Sequence, residues 1–229
     1  LYSNTAARNL AADSYTVLRL DFNQPFASAK DIEQTFRLFE TVIWYRANMV
    51  SASLPLQNYQ DGIGPYLLSG GRFFLEGLYL FSGTNAHGAL REEFAQRYLN
   101  CDEFVKTYVV APNFTGTTIG FSNVNGSVFQ STMFADTCRQ QQLGVELGEA
   151  GGFRAFRVRD PSIIAMTAPP GALTPVVTDS LVVGVSVPQP NGGRAVVLGV
   201  PLGTSQPTNS SNSARLLGKI FAQLGLTGP

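Results

Sequence analysis

The sequence predicts a single-domain α/β protein with a doubly wound, mostly parallel sheet. Strand patterns alternate with helix patterns through the first half of the 229 residues, and parallel strands need helices to connect them. The segment Thr41–Tyr45 is also an almost continuous apolar strand, which is typical of a sheet covered on both faces. A hydrophobic content of 44% is enough to build a sizeable core.

The first predicted elements are a helix at 6–12, a strand at 15–20 and a second helix at 29–39. Ser28 stands directly before the second helix and is the type of residue that caps a helix N-terminus. Helical spacing places Ile32, Phe36 and Phe39 on one face of that helix. We expect this face to pack on the sheet.

A helix, a strand and a second helix are predicted after the apolar strand Thr41–Tyr45. A helix beyond Pro55 is expected to end at Gly70-Gly71, a strong C-terminal signal, with its inward residues at Leu56, Tyr59, Ile63 and Leu67. A strand is predicted at 72–77, and after it a helix at 88–99 that is amphipathic through Leu90, Phe94 and Tyr98.

The second half predicts a β-rich insertion at about 104–170 within the single domain, which spans 1–229. Gly, Asn and Pro separate its short extended segments, which lie at 104–110, 117–121, 127–129, 153–158 and 162–166. Strands at 181–187 and 195–200 flank a Pro- and Gly-rich hairpin turn. A last helix at 211–224 is expected to present its apolar face to the sheet and to end at Gly225; this face carries Leu216, Leu217, Ile220 and Leu224.

Charge and composition indicate which partners and which cellular location to expect. Sixteen Lys and Arg balance sixteen Asp and Glu, and only 14% of the residues are charged. A balanced chain does not attract nucleic acid or an anionic membrane, and no apolar run approaches the ~20 residues that cross a bilayer. A surface built from uncharged polar residues favours an extracellular or cell-envelope (periplasmic) protein. The abrupt beginning of the chain predicts a fragment of a longer one, preceded by a signal peptide.

The two cysteines, Cys101 and Cys138, are too few for a disulfide framework. They are either two unlinked thiols or one disulfide formed in an oxidising compartment. They have no neighbouring Cys or His at zinc-ligand spacing. We therefore expect neither a metal nor another cofactor.

Two stretches resemble a known family. One runs from Phe39 through the strand Thr41–Tyr45 and a helix that ends Leu68-Ser69-Gly70-Gly71 to the strand at 72–77, and the other is the strand-and-helix pair at 193–225. This order of segments is similar to the class I glutamine amidotransferase-like (flavodoxin-like) domains of secreted bacterial proteins of uncharacterised function. The resemblance implies a flavodoxin-like fold over most of the chain.

The same resemblance implies where catalysis would occur. Members of the family carry a nucleophilic Cys at a tight turn after the strand that matches 72–77, with a His and a Glu from near the C-terminus. Here the turn is Gly77-Leu78-Tyr79-Leu80, and the only histidine is His87. A thiolate and its base must lie within about 3 Å of each other. The chain therefore resembles the family without its catalytic Cys, and we expect no amidase activity.

Ligands of open parallel sheets bind beyond the carboxyl ends of the strands. In this sequence the residues that follow those ends are Arg46, Asn48, Glu76, Tyr79, Ser82 and His87. They form the predicted ligand-binding set, for a small molecule, a glycan or a neighbouring domain of the same polypeptide. In the alternative interpretation, Arg46 and Glu76 pair only to satisfy a polar sheet end.

Other patterns carry less specific chemistry. A lone histidine in a Gly- and Asn-rich loop is typical of a solvated side chain as well as of a base. The glycine pairs and the serines lack the spacing of a phosphate loop or of a hydrolase elbow. Three arginines alternate with apolar residues at 153–159, either as a basic contact face or as the solvated face of an edge strand; they are Arg154, Arg157 and Arg159.

These observations lead to two hypotheses of function. The first is a non-catalytic binding or structural module of a larger secreted or cell-envelope protein. The alternative is a carbohydrate-binding or carbohydrate-active domain of the trehalose-utilisation (ThuA-like) type, with Trp44, Tyr45 and Tyr79 as candidate platforms for a sugar ring. Trp44 lies within an apolar strand, which also fits a core position.

Overall fold

The computed structural model describes residues 26–45, 59–77, 80, 90–110, 119–123, 138–140, 153–168, 173–174, 181–199 and 210–226. Ten strands of these residues join in one mixed sheet. The strands are β1 (Thr41–Tyr45), β2 (Arg72–Glu76), β3 (Cys101–Val110), β4 (Ile119–Asn123), β5 (Cys138–Gln140), β6 (Phe153–Val158), β7 (Ile164–Ala168), β8 (Leu173–Thr174), β9 (Leu181–Pro188) and β10 (Arg194–Leu198). An α/β architecture is therefore confirmed.

The sheet has a parallel part and an antiparallel part. Strands β1, β2 and β10 pair in parallel, with β2 in the middle. Strand β9 pairs antiparallel with β10 and forms the predicted hairpin. The remaining pairings of the described strands are antiparallel and extend from β9 to β6, β3 and β8, and to β7, β4 and β5. The predicted β-rich insertion thus continues the same sheet.

Helix α1 (Ala29–Phe36) begins where the sequence predicts. The Ser28 side chain caps it by accepting a hydrogen bond from the Asp31 backbone N–H at 3.2 Å. Ile32 and Phe36 are buried against the core. The helix ends at Phe36, so Phe39 lies beyond it and is 40% exposed. The prediction that Phe39 belongs to the buried face is therefore wrong.

Helix α2 (Gln60–Leu68) depends on burial more than on intrinsic propensity. It contains two glycines and Pro65, which are poor residues for a helix interior. Its side chains nevertheless fill the core, because Tyr59, Ile63, Tyr66 and Leu67 are each at most 2% exposed. The predicted inward positions 59, 63 and 67 are confirmed, and the helix ends at Leu68, before the positive-φ residue Gly70.

Helix α3 (Glu92–Phe94) continues as one turn of π-helix, Ala95–Leu99. The sequence predicts a start at 88, but Leu90 instead donates its backbone N–H to the Leu80 carbonyl at 2.7 Å. That bond holds Leu90 in an extended bridge, so the predicted start is wrong. The predicted end at residue 99 is confirmed, and Asn100 follows in the left-handed region with a φ of 50°.

Helix α4 (Ser210–Gln223) closes the described part of the chain. Leu217, Ile220 and Leu224 are fully buried, as predicted, and Gly225 follows with a positive φ. The Leu216 side chain lies outside the described residues. The Leu224 carbonyl accepts hydrogen bonds from Thr41 Oγ1 at 3.2 Å and from Arg72 Nη1 at 3.1 Å. These bonds tie the end of α4 to the beginnings of β1 and β2.

The end of α2 meets the turn between β9 and β10. Asn191 Nδ2 donates to the Leu68 carbonyl at 2.9 Å. Gly193 lies so close to the helix end that a Cβ built on it would stand 2.7 Å from the Gly71 carbonyl oxygen. From the sequence, Gly70-Gly71 is predicted to end a helix and Gly192-Gly193 to belong to a hairpin turn. Both interpretations are confirmed, and the structure adds that the two features pack on each other.

The interpretation of the arginine stripe as an edge strand is wrong for the described sheet. Strand β6 pairs with β3 on one side and meets β9 at Phe156 and Val182. Arg157 and Arg159 are exposed, and the register places Arg157 opposite Asp102 on β3, an arrangement of opposite charges that favours strand pairing. The predicted elements at 6–12, 15–20 and 127–129 lie outside the described residues.

Candidate functional site

The carboxyl ends of β1, β2 and β10 form one edge of the sheet. The register aligns Tyr45, Glu76 and Leu198 across the three strands. Just beyond them, the Gly77 backbone N–H donates to the Leu198 carbonyl at 3.1 Å. This is the edge at which the sequence places the ligand site, and Glu76 ends its middle strand.

Glu76 is the one member of the predicted ligand-binding set that falls within the described residues. Its side chain is 2% exposed, and a carboxyl group is rarely buried so deeply without a structural or functional role. Arg46, Asn48, Tyr79, Ser82 and His87 lie outside the described part of the chain. Their convergence on Glu76, and the alternative pairing of Arg46 with Glu76, both stay predictions.

The segment after β2 is anchored to the core at Leu80. Leu80 and Leu90 are both fully buried, and the 2.7 Å backbone hydrogen bond joins them. Leu78 and Tyr79 lie outside the described residues. This bond therefore links Leu80, which follows β2, to Leu90, which lies just before α3.

Aromatic side chains line the core below this edge. The rings of Trp44 and Tyr59 lie 5.2 Å apart, and Trp44 also contacts Phe36 with ring centroids 6.3 Å apart. Phe26 contacts Tyr59 at 5.9 Å. Trp44 is half-buried in this group, which favours the core interpretation of that residue over a sugar platform.

Two polar groups at the N-terminus of α2, the Tyr59 hydroxyl and the Gln60 side-chain amide, are buried. Each residue is 2% exposed. The Tyr59 hydroxyl and Gln60 Nε2 are buried and have no hydrogen-bond partner in the described structure. Burial raises the pKa of the Tyr59 hydroxyl. The sequence predicts Tyr59 as an inward-facing residue but does not predict the burial of Gln60.

Replacing Tyr59 with phenylalanine tests whether its hydroxyl is unsatisfied in solution. Burying a hydroxyl without a partner costs about 1–3 kcal/mol, and Tyr59→Phe removes only that group. We expect the free energy of unfolding to stay unchanged or to rise by about 1 kcal/mol. Urea unfolding followed by far-UV circular dichroism measures it. A loss of more than about 1 kcal/mol would show that the hydroxyl has a partner in the folded protein.

The cysteines are found in different parts of the sheet. Cys101 is buried at the beginning of β3, and Cys138 begins β5. Both alternatives, two unlinked thiols and one disulfide, stay predictions. In the described ranges, no three His, Cys, Asp or Glu side chains come together in a way that could hold a metal ion. None of the helices described is long and apolar enough to cross a membrane.

Comparison with known proteins shows the fold and no more. No family model matches the sequence, and no curated protein matches it. The N-terminal domain of mmIFT52 is similar in structure, with a TM-score of 0.57 and 12% identity over 86% of this chain and 81% of that one. A ThuA-like protein from Bacteroides uniformis ATCC 8492 is also similar, with a TM-score of 0.50 and 10% identity over 87% of this chain and 75% of that one.

Proposed function

We propose that this chain is a non-catalytic binding module with a doubly wound, flavodoxin-like fold of the class I glutamine amidotransferase-like type. Its site is the sheet edge formed by the ends of β1, β2 and β10. The observation that carries the proposal is the nearly complete burial of Glu76 at the end of the middle strand. Ligands of such sheets gather at this edge, and a buried carboxylate there is a strong acceptor for ligand hydroxyl or N–H groups.

The sequence of the turn after β2 supports binding over hydrolysis. Gly77-Leu78-Tyr79-Leu80 contains neither Cys nor Ser, and His87 is the only histidine in the chain. Nucleophilic catalysis needs an attacking group with a base beside it. The chain provides a buried carboxylate at this position instead, which suits recognition.

The composition supports a place outside the cytoplasm. We propose an extracellular or cell-envelope protein of which this chain is one module. Only 14% of the residues are charged and the charges balance, so nucleic acid is not the expected partner. The ligand is a small molecule, a glycan or a neighbouring domain of the same polypeptide.

A second candidate function is carbohydrate binding or carbohydrate chemistry of the ThuA-like type. The similarity to a ThuA-like protein supports the fold of this candidate. A carboxylate such as Glu76 can accept hydrogen bonds from two sugar hydroxyls. Tyr45, in register with Glu76, and Tyr79 remain the candidate platforms for a sugar ring, since Trp44 packs into the core.

Ligand screening of the purified chain tests both proposals. We expect a glycan array or a small-molecule screen by thermal shift to yield a ligand that raises the melting temperature of the wild type. Glu76→Gln keeps the shape but removes the charge, and it should abolish that rise. Ser186→Ala is the matched control, because Ser186 is 5% exposed and accepts a hydrogen bond from Arg194 near the opposite end of the sheet. It should keep the ligand-induced rise even if it lowers the basal melting temperature.

The outcomes separate the alternatives. Hydrolysis of glutamine, esters or peptides that Glu76→Gln abolishes would overturn the non-catalytic proposal. A ligand that stabilises the wild type and Glu76→Gln equally would show that the ligand does not bind at this sheet edge. A glycan screen without a hit, beside a hit from the small-molecule screen, would reject the carbohydrate candidate and keep the binding module.

A further inference from the structure

The turn between β9 and β10 contains an exposed Asn191-Gly192 pair. Asn191 has a φ of 59° and Gly192 a φ of 80°. A Cβ built on Gly192 meets no atom within 4 Å, so water reaches the backbone on this side of the turn. An asparagine that precedes glycine loses its side-chain amide readily, because the glycine has no side chain to keep its backbone nitrogen away from the asparagine Cγ.

The loss of this amide needs only water as a reactant. The Gly192 backbone nitrogen gives its proton to solvent and attacks Cγ of Asn191. A bond forms between these two atoms, the bond from Cγ to Nδ2 breaks, and Nδ2 takes up a proton and leaves as ammonia. Water then opens the succinimide ring at either of its two carbonyl carbons and returns a proton to the nitrogen. The product at position 191 is aspartate or isoaspartate.

The folded turn holds the two reacting atoms apart. With a ψ of 26° at Asn191, the tetrahedral geometry at Cα places the Gly192 nitrogen on the opposite side of the Cα–C bond from the side chain. Ring closure therefore requires rotation about this bond. Two hydrogen bonds oppose the rotation, from Asn191 Nδ2 to the Leu68 carbonyl at 2.9 Å and from the Arg194 backbone N–H to the Gly71 carbonyl at 3.4 Å. We call these two bonds the turn clasp.

Deamidation removes one of the two donors of the turn clasp. A carboxylate at position 191 has no N–H to donate to the Leu68 carbonyl. Its negative charge also lies beside the C-terminus of α2, where the helix dipole disfavours an anion. The turn packs closely on this helix end, since a Cβ at Gly70 would stand 2.8 Å from the Asn191 carbonyl oxygen. The modified side chain therefore cannot restore the bond that the amide made.

We propose that Asn191 is a deamidation site that the turn clasp protects, and that its conversion to aspartate or isoaspartate holds the clasp open. The folded turn slows the reaction, each opening of the clasp permits it, and the product weakens the packing of the turn on α2. The turn precedes β10 and so lies at the opposite end of that strand from Leu198 and the ligand edge. This inference is therefore independent of the proposed function.

Site-resolved mass spectrometry of the aged protein tests the proposal. We expect wild type kept in mildly alkaline buffer to accumulate both aspartate and isoaspartate at position 191. Conversion should be about tenfold slower than in the chain unfolded in urea, as expected when about one hydrogen bond keeps the reactive conformation closed. Gly193→Ala adds a Cβ that would stand 2.7 Å from the Gly71 carbonyl oxygen, and it should speed the conversion in buffer.

Asn100 is the control asparagine within the same chain. It also has a positive φ, of 50°, but it precedes Cys101 instead of a glycine. The Cys101 side chain hinders attack by its backbone nitrogen, so Asn100 should stay intact. Asn125 also precedes a glycine, and reading each site separately keeps its conversion out of the comparison.

Asn191→Asp measures the effect of the product. Aspartate tolerates a positive φ much as asparagine does, so the variant isolates the lost donor and the added charge. We expect it to lower the melting temperature by about 4 °C. Gln34→Glu makes the same change of amide to carboxylate at an exposed position of α1 and should leave the melting temperature unchanged. The proposal is wrong if folded wild type keeps Asn191 intact, if folding does not slow the conversion, or if Asn191→Asp melts with the wild type.

Discussion

Replacing Gly193 with alanine should lower the free energy of unfolding by about 3 kcal/mol, the upper range for an inserted methyl group in a close-packed site. The added Cβ would stand 2.7 Å from the Gly71 carbonyl oxygen and 3.0 Å from both the Gly70 carbonyl carbon and the Leu67 carbonyl oxygen. All three are backbone atoms, so no side chain can rotate away. Either the β9–β10 turn or the end of α2 has to move.

Gly218→Ala is the matched control for this change. Gly218 lies within α4, and a Cβ built there meets no atom within 4 Å. The same substitution should therefore raise the free energy of unfolding by about 1 kcal/mol, because alanine favours the helix. Urea unfolding of both variants gives the comparison. If Gly193→Ala unfolds at the same urea concentration as the wild type, the contact between the turn and α2 is looser in solution than in the structure.

Local signals explain why much of the fold could be predicted from the sequence. Ser28 marks the start of a helix because its side chain accepts a hydrogen bond from the backbone N–H three residues later. Gly70 marks the end of a helix because it adopts a positive φ. The β9–β10 hairpin is likewise set by the short segment that joins its strands. Each of these features depends on residues that are neighbours in the sequence.

The failed predictions concern features that depend on distant residues. Strand β6 is not an edge strand because it pairs both with β3, which lies about fifty residues earlier in the chain, and with β9. The start of α3 is delayed because Leu90 bonds to Leu80 instead of joining the helix. Hydrophobic periodicity predicts neither the pairing of β6 nor the start of α3. It describes a single segment and does not show which distant segment will bind the backbone groups of that segment.

The same contrast between local and distant determinants applies to the site residues. The sequence predicts Glu76 as a site residue because topology alone places the end of a parallel strand at the ligand edge. The sequence does not predict the burial of Gln60, because that burial depends on Arg91 and on the facing π-helix segment, which are remote in the sequence. The available signal was a glutamine placed directly after the inward-facing Tyr59, at the start of a helix.

Removing the Tyr66 hydroxyl should also cost up to about 3 kcal/mol. Tyr66 is 1% exposed, and its Oη accepts the Arg72 backbone N–H at 3.2 Å. The same oxygen lies within donating distance of three carbonyl oxygens, those of Phe39, Glu40 and Arg72, at 3.0 to 3.2 Å. Tyr66→Phe removes the hydroxyl, and the buried backbone groups around it lose this partner. Tyr59→Phe removes a buried hydroxyl that has no such partners, so the two variants should differ by at least about 1 kcal/mol.

The pH dependence of unfolding provides an independent test of Tyr66. Burial raises the pKa of its hydroxyl from 10.0 to about 12, and the nearby Arg72 backbone and charge only partly oppose this effect. The folded state therefore retains the proton more tightly than the unfolded state. The stabilisation is complete below pH 10 and is lost as the pH rises toward 12, with a slope of up to about 1.4 kcal/mol per pH unit. Tyr66→Phe should remove this part of the alkaline loss of stability, and an unchanged alkaline unfolding curve would place the Tyr66 hydroxyl in water.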